Sequence, residues 1–440
     1  MQVPFGEWLP DQPEHGKKGA NVATNVYHAA NTYKRFPSLV AYSSNTTSTD
    51  SKGAGSFRDN SNTVYNFVAT RTNIYQLASG AFTSRKASLT GTATDFWTFT
   101  QFGEYVIASN GVDQPQYYLM GTSTNFANLN AIATGNPIFR VSGVVRDFLV
   151  AGNIVNATNR IQWSGINDIT EWTAGTSQSD SQDLPGSGGR VVHITSGEIG
   201  YVFRQNQIVR MDYVGGNTVF RLSVISPNRG AMYGRTVCQD NRQIFFYADD
   251  GFYQINGDQI IPIGVEKVNR FFDLDLNKAY SDRICAAVDP FNQLAMWLYP
   301  SASNTTNTTG ICDKIIIYNY VTQKWSLADA SASTIFAQFV GAYTVELMDI
   351  LSQNLENINA ALDTDFWSGG QVLLGGIDSD YKAAIFSGTA NECEIETSEL
   401  EPFPGLRTNI TGVRPIVDAD ATLTVKTRER LADTESETSS

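Results

Sequence analysis

The sequence predicts an all-β protein, a β-propeller-like core of repeated antiparallel sheets with an extended N-terminal arm and a C-terminal β segment. Three observations predict it. The apolar residues lean toward strand formers, with 19 Tyr, 24 Phe and 7 Trp among many Val, Ile and Thr. Thirty-six Gly, with abundant Asn, Ser and Thr, supply turns. Short strand-like runs recur at a spacing of about 40–50 residues, the length of one propeller blade. Other stacks of antiparallel sheet would share this pattern.

Taken in order, residues 1–60 read as an extended arm, because Pro4, Pro10, Pro13 and Pro37 resist both helix and central strand. Residues 61–340 carry the β core. Asp95–Met120, Phe139–Trp172, Val191–Ile225, Thr236–Ile263 and Arg283–Asp329 each hold aromatic or β-branched runs around turns. Asp249-Asp250-Gly251 before Phe252-Tyr253 is typical, the Gly supplying backbone freedom at a tight hairpin. Residues 341–364 break the texture: Leu347, Ile350, Leu351, Leu355 and Ile358 fall at three- and four-residue spacing, which predicts a short helical insertion. Residues 365–390 return to strand pattern, and 391–440 hold C-terminal strands and a polar tail.

Charge limits the function. Lys and Arg total 31 against 44 Asp and Glu, a formal charge of −13, whereas a protein that wraps nucleic acid needs a basic stripe. The acidity serves solubility, or a surface past which DNA slides without sticking. The N-terminus lacks the basic start and apolar run of a secretory signal, and no stretch has the apolar length of a membrane helix. Cys238, Cys285, Cys312 and Cys393 are far apart, as expected of reduced core residues.

Chemistry-bearing motifs are weak. His15, His28 and His193 form no metal-ligand spacing with the cysteines. Gly186-Ser187-Gly188-Gly189-Arg190 lacks the Lys and hydroxyl of a phosphate-binding loop. Asp273–Asn277 opens like a calcium loop, but Lys278 and Ile284 occupy the positions of its Gly and its bidentate Glu. Asp249, Asp250 and Asp258 surround one hairpin, where carboxylates are ordinary turn chemistry. No enzyme activity, cofactor or metal is expected.

Several strings, in order along the chain, resemble the tail-hub or nozzle family of short-tailed phages, also called packaged-DNA stabilisation proteins. They are Pro4-Phe5-Gly6-Glu7-Trp8-Leu9-Pro10-Asp11, Asn25-Val26-Tyr27 and Arg35-Phe36-Pro37-Ser38-Leu39, then Asp147–Gly152 and Gln162–Asp168. Asp250-Gly251-Phe252-Tyr253, Ile317-Tyr318-Asn319-Tyr320 with Trp325, and Val413-Arg414-Pro415-Ile416-Val417 complete the set. The chain departs from the family pattern in a longer Thr305–Thr309 loop and a polar C-terminus.

The resemblance implies a structural virion protein, assembled in the bacterial cytoplasm. It would form a ring, usually a homohexamer, that retains packaged double-stranded DNA and conducts it during ejection. Its partners would be head-to-tail adaptor or portal proteins and tail needle, tip or fibre proteins. The alternative is a carbohydrate-binding or glycan-cleaving propeller, such as a receptor-binding tail protein. For assembly, Phe5, Trp8 and Leu9 are the candidate interface residues, since apolar side chains on an extended arm need a neighbour to bury them. That neighbour is either another subunit or the arm's own propeller.

Overall fold

The computed structural model describes residues 3, 5–14, 19–30, 32–216, 218–339, 372–401, 410–417, 420–428 and 433–439. Five successive four-stranded antiparallel sheets define blades 1 to 5. Their inner strands are Gly53–Arg58, Thr98–Phe102, Phe139–Val145, Val191–Ile194 and Cys238–Asp240. A further sheet holds nine strands and divides in the middle of one of them, the 16-residue Lys324–Phe339. The first half of that strand pairs with Cys312–Asn319 and completes blade 6, whose inner strand is Cys285–Asp289. Its second half is the inner strand of blade 7 and pairs with Val372–Asp378, beyond which come Ala383–Gly388 and Ser38–Ala41. The described residues form a seven-bladed β-propeller. From blade 1 to blade 6, inner strands begin at steps of 41 to 52 residues.

What seals the ring is alternation along the second strands. In a strand, successive side chains point to opposite faces. Val106 and Ala108 of Tyr105–Ser109 therefore join Phe67 and Ile74 of blade 1, while Ile107 joins Phe139 and Leu149 of blade 3. In Gln243–Ala248, Ile244 and Phe246 pack with Tyr201 and Phe203 of blade 4, and Phe245 and Tyr247 pack with Trp297 and Tyr299 of blade 6. Because both faces of each blade are covered, these strands are apolar almost throughout, as Leu294–Tyr299 shows. Three more clusters join blades 3 to 4, 6 to 7 and 7 to 1, so apolar contact runs around the full ring.

The ring closes through the N-terminal region. Ser38–Ala41 is the outer strand of blade 7, so one blade is assembled from segments more than 290 residues apart. This corrects the expectation of an extended arm over residues 1–60, a stretch that also contains the inner strand of blade 1. Pro37 misled that reading: a proline just before the first residue of an edge strand removes no ladder hydrogen bond. Ahead of it, Ala20–Thr24 meets the first half of Lys324–Phe339 in parallel and Glu394–Thr397 antiparallel, extending blade 6 outward. The expected unit over 365–390 supplies two strands of blade 7 and is part of the propeller. The expected helix over 341–364 lies outside the described residues. At the C-terminal end, Thr424–Thr427 and Ser436–Ser439 pair as a separate two-stranded ribbon, where the sequence predicted only a polar tail after the first of them.

Candidate functional site

All seven inner strands run in the same direction, so the residues just before them gather at one mouth of the axial channel. A cavity of about 260 Å³ opens there, lined among others by Lys52, Phe96, Arg235, Arg283 and Cys312. Four of them come from different sectors: Lys52 precedes the inner strand of blade 1, Phe96 that of blade 2, Arg235 that of blade 5 and Arg283 that of blade 6, where Cys312 also lies. The Arg235 guanidinium lies 4.4 Å from the centre of the Phe96 ring and also donates to Thr334 of blade 7 at 3.1 Å. It thus reaches across the axis, since blades 2 and 5 stand on opposite sides of the ring. Lys52, only 3% exposed, is paired with Asp50 at 2.9 Å and sits 5.2 Å from the other part of this aromatic contact, the Phe96 ring.

Arg283 is held by neutral groups. It donates to the carbonyls of Thr309 (2.8 Å) and Gly310 (3.1 Å) and rests 5.1 Å from the Tyr280 ring. Those carbonyls belong to the connection from Tyr299 to Cys312, the long loop marked out in the sequence. The loop is shaped by Asn307, whose side-chain oxygen accepts from the backbone of Gly310 and Ile311. Gly310 has φ of +71°, and a Cβ there would lie 2.4 Å from Tyr280 Cγ, so both conformation and space require glycine. Burial raises the Cys285 and Cys312 thiols, with the cationic Arg235 opposing the shift at both, and these thiols stay protonated and inert.

Of the three candidate interface residues, the structure separates Trp8 from Phe5. Trp8 is 3% exposed, donates from its indole to the Asn21 carbonyl at 3.0 Å, and meets Phe271 edge-on with centroids 5.0 Å apart. It belongs to the core between blades 5 and 6, so its neighbour is its own propeller. Asp11 fixes this arrangement by accepting from the backbone of Arg270 and Phe271 at the start of the helix Asn269–Asp275. Leu9 is half-buried, its side chain against Gly19. Phe5 remains 46% exposed.

The other motifs resolve into structural roles. The Gly-rich loop over 186–189 turns carbonyls toward a cation: Arg204, 1% exposed, donates to Pro185, Gly186 and Gly189 carbonyls and to the Gln207 side chain. A phosphate cradle presents N–H groups, the opposite polarity. Asp275 accepts from Tyr299 (2.9 Å) and Lys314 (3.1 Å), a satisfied buried ion pair. Asp250 and Asp258 stand at opposite ends of the strand Gly251–Asn256, about 20 Å apart at 3.3 Å per residue. Asp250 pairs with Arg229 and Tyr253, and Asp258 with Arg210. Burial pushes Asp250 up, but these bonds outweigh it and hold the carboxyl below its usual range. Among the described residues no group of three or more His, Cys, Asp and Glu is arranged to hold a metal ion. His15 lies outside them; His28 and His193 are both depressed to about 4 by burial.

The channel mouth itself was missed in the sequence. Its residues share no local pattern, and only their common position, one to three residues before successive inner strands, would have united them.

The class is therefore a seven-bladed β-propeller with a cation-lined, bridged channel mouth. No family model matches the chain, and no curated protein matches it in sequence. Among solved structures, it is similar to a chain in the crystal structure of the mitotic checkpoint complex, with a TM-score of 0.45 and 9% identity, covering 82% of this chain and 98% of that one. It is also similar to the β-propeller domain of Myceliophteria thermophila Cps50 (Swd1), with a TM-score of 0.45 and 9% identity, covering 80% and 100%.

Proposed function

We propose that the protein is a structural subunit of a short phage tail, a hub or nozzle whose copies form a ring that retains packaged DNA and conducts it during ejection. One observation carries the reading: both ends of the chain turn apolar residues outward from a propeller whose own core is already complete. Phe5 is exposed at one end; at the other, Ile410, Val413, Ile416 and Val417 are exposed, Ile416 at 86%. Apolar side chains outside a closed core are what subunit contacts consume. Phe5 and Val413–Val417 also fall within strings that resemble the tail-hub family.

The DNA path in this reading lies between subunits, because Arg235 and Phe96 bridge the propeller's own channel mouth. A lumen walled by a chain of charge −13 repels phosphates, an effect that salt weakens. A glycan-cleaving propeller has less support, since Asp250 and Asp258 stand at opposite ends of a strand and are each engaged by an arginine.

Virions assembled without this protein provide the test. The expected particles lose DNA or lack complete tails, and electron microscopy of the purified protein shows rings. Particles that keep their DNA and full tails would overturn the proposal.

A further inference from the structure

Three cations line the channel-mouth cavity, Lys52, Arg235 and Arg283, and two of them lack the carboxylate partner that six other cations of the chain have. Arg140, Arg160, Arg210, Arg229, Lys267 and Lys314 each lie within 4 Å of a carboxylate. Arg235 and Arg283 have no ion pair among the described residues; they meet a hydroxyl, two carbonyls and aromatic faces. Both border the same cavity, and both bear electrostatically on the Cys312 thiol that lines it. Lys52 adds a third cation there, but Asp50 already balances it. The cavity lining therefore holds two guanidiniums without a carboxylate partner, together with Ser51, Ser333, Ser379 and the Lys52–Asp50 pair.

This concentration has a physical consequence. Guanidinium is the side chain best suited to bidentate recognition of oxyanions, and a half-buried setting screens it less than open solvent does. The neutral partners already present use only part of its five donors, and they hold the two heads without neutralising them. The cavity volume exceeds a lone inorganic ion and matches a small organic molecule bearing an oxyanion.

We infer that the channel mouth is a binding site for a small oxyanion-bearing molecule, a phosphate monoester or a polycarboxylate, gripped by Arg235 and Arg283 and closed on one side by Phe96. The site is independent of the virion reading: it follows from one chain and requires no assembly. A bound anion would join blades 5 and 6 to blades 7, 1 and 2 across the axis and so rigidify the ring from within.

Isothermal titration calorimetry of the purified full-length chain tests this with two probes, glycerol phosphate and citrate, at constant ionic strength held with chloride. Binding of either is expected at one site per chain, weakening as chloride rises. The stronger probe tells which oxyanion source the site favours. The double variant R235M/R283M, which keeps the aliphatic stems, should lower that affinity at least tenfold. In R140M, whose guanidinium is already paired with Asp95 outside the cavity, the affinity should stay within twofold. Unchanged circular dichroism shows that the double variant is folded; should it fail to fold, the single R283Q is used, with a fall of at least threefold expected. No heat with either probe in the native protein, or equal affinity in native and variant proteins, would overturn the assignment.

Discussion

The interface between blades 5 and 6 and the seam between blades 7 and 1 solve the same packing problem with different chemistry. At the first, Phe252, Phe272, Trp297, Tyr299, Tyr318 and Trp325 interlock, with Phe252 within 5.0 Å, centroid to centroid, of Phe272, Trp297 and Trp325. The indoles of Trp297 and Trp325 find backbone carbonyls at 2.9 and 3.0 Å, so neither N–H is stranded. The seam has a smaller core of Val68, Leu77, Phe82, Ile377 and Ala383. Directed hydrogen bonds pin it instead. The Asn45 side chain accepts from Phe82 N at 2.7 Å and donates to Phe82 O at 3.0 Å, while within blade 7 Ser43 Oγ accepts from Ala383 N at 3.0 Å and ties the N-terminal strand to its neighbour. Asn66 and Ser56 reach the backbone of Phe339 in the same way. Blades that follow one another in sequence can rely on non-directional apolar burial, since the connecting chain holds them in register. Where strands from both ends of the chain must meet, the bonds specify which atoms meet.

The contrast is broken most directly at its aromatic side. Trp297→Ala should remove about 3–5 kcal/mol, as large aromatic truncations in full cores do, seen as a large fall in the denaturant midpoint. A loss below 1 kcal/mol would show that this interface is not the dominant core.

At the seam the expected effect is smaller and more local. Asn45→Ala removes both bonds to Phe82 and should cost about 1–3 kcal/mol. The more telling readout is faster proteolysis between residues 42 and 52 with blade 5 amides still protected from exchange. Uniform loss of protection across all blades would show that the seam carries no separate role.

Acid sharpens the aromatic side further. His28 is buried beneath Tyr33, with ring centroids 3.9 Å apart, beside blade 6. Burial, with Lys324 adding to it, depresses its pKa to about 4 from the usual 6.5. Between those values the unfolded chain binds the proton and the native chain does not. Stability therefore falls as pH drops from about 6.5 to about 4, by up to ~3 kcal/mol for a shift of this size. His193, depressed to the same value, contributes over the same window, so His28→Phe should remove roughly half of this acid slope; an unchanged slope would assign the acid sensitivity elsewhere.

The smallest expected effect is at the exposed end of the N-terminal segment. Phe5→Ser should leave the melting temperature within a degree or two, because the side chain is largely in solvent, while Trp8→Ala should lower it. Under the tail-hub proposal the former also weakens ring formation in sedimentation. Equal effects of both on melting would put Phe5 in the core.

The repeating blades were legible in the sequence because each is local. Phe245, Phe246 and Tyr247 precede a turn and Phe252 and Tyr253 follow it, and that pattern needs nothing from afar. Blade 7 was not legible. Its four strands come from Ser38–Ala41, the later half of Lys324–Phe339, Val372–Asp378 and Ala383–Gly388. No turn signal marks the point near Ala332 where a single strand passes from one blade to the next. The sequence left Trp8 open between a partner subunit and its own propeller for a related reason: its partners, Phe271 and the Asn21 carbonyl, are brought to it by the closed ring. The channel mouth was invisible on the same ground. Lys52, Phe96, Arg235 and Arg283 are neighbours only once blades stand in a circle.

Native-state hydrogen exchange resolved by residue tests the closed ring most directly. The amides of Leu39, Val40 and Ala41 should be as protected as those of Ala384 and Ile385, and both groups should open together in one cooperative step as denaturant rises. Fast, independent exchange of residues 38–41, with 383–388 protected, would mean that the N-terminal strand does not seal the propeller.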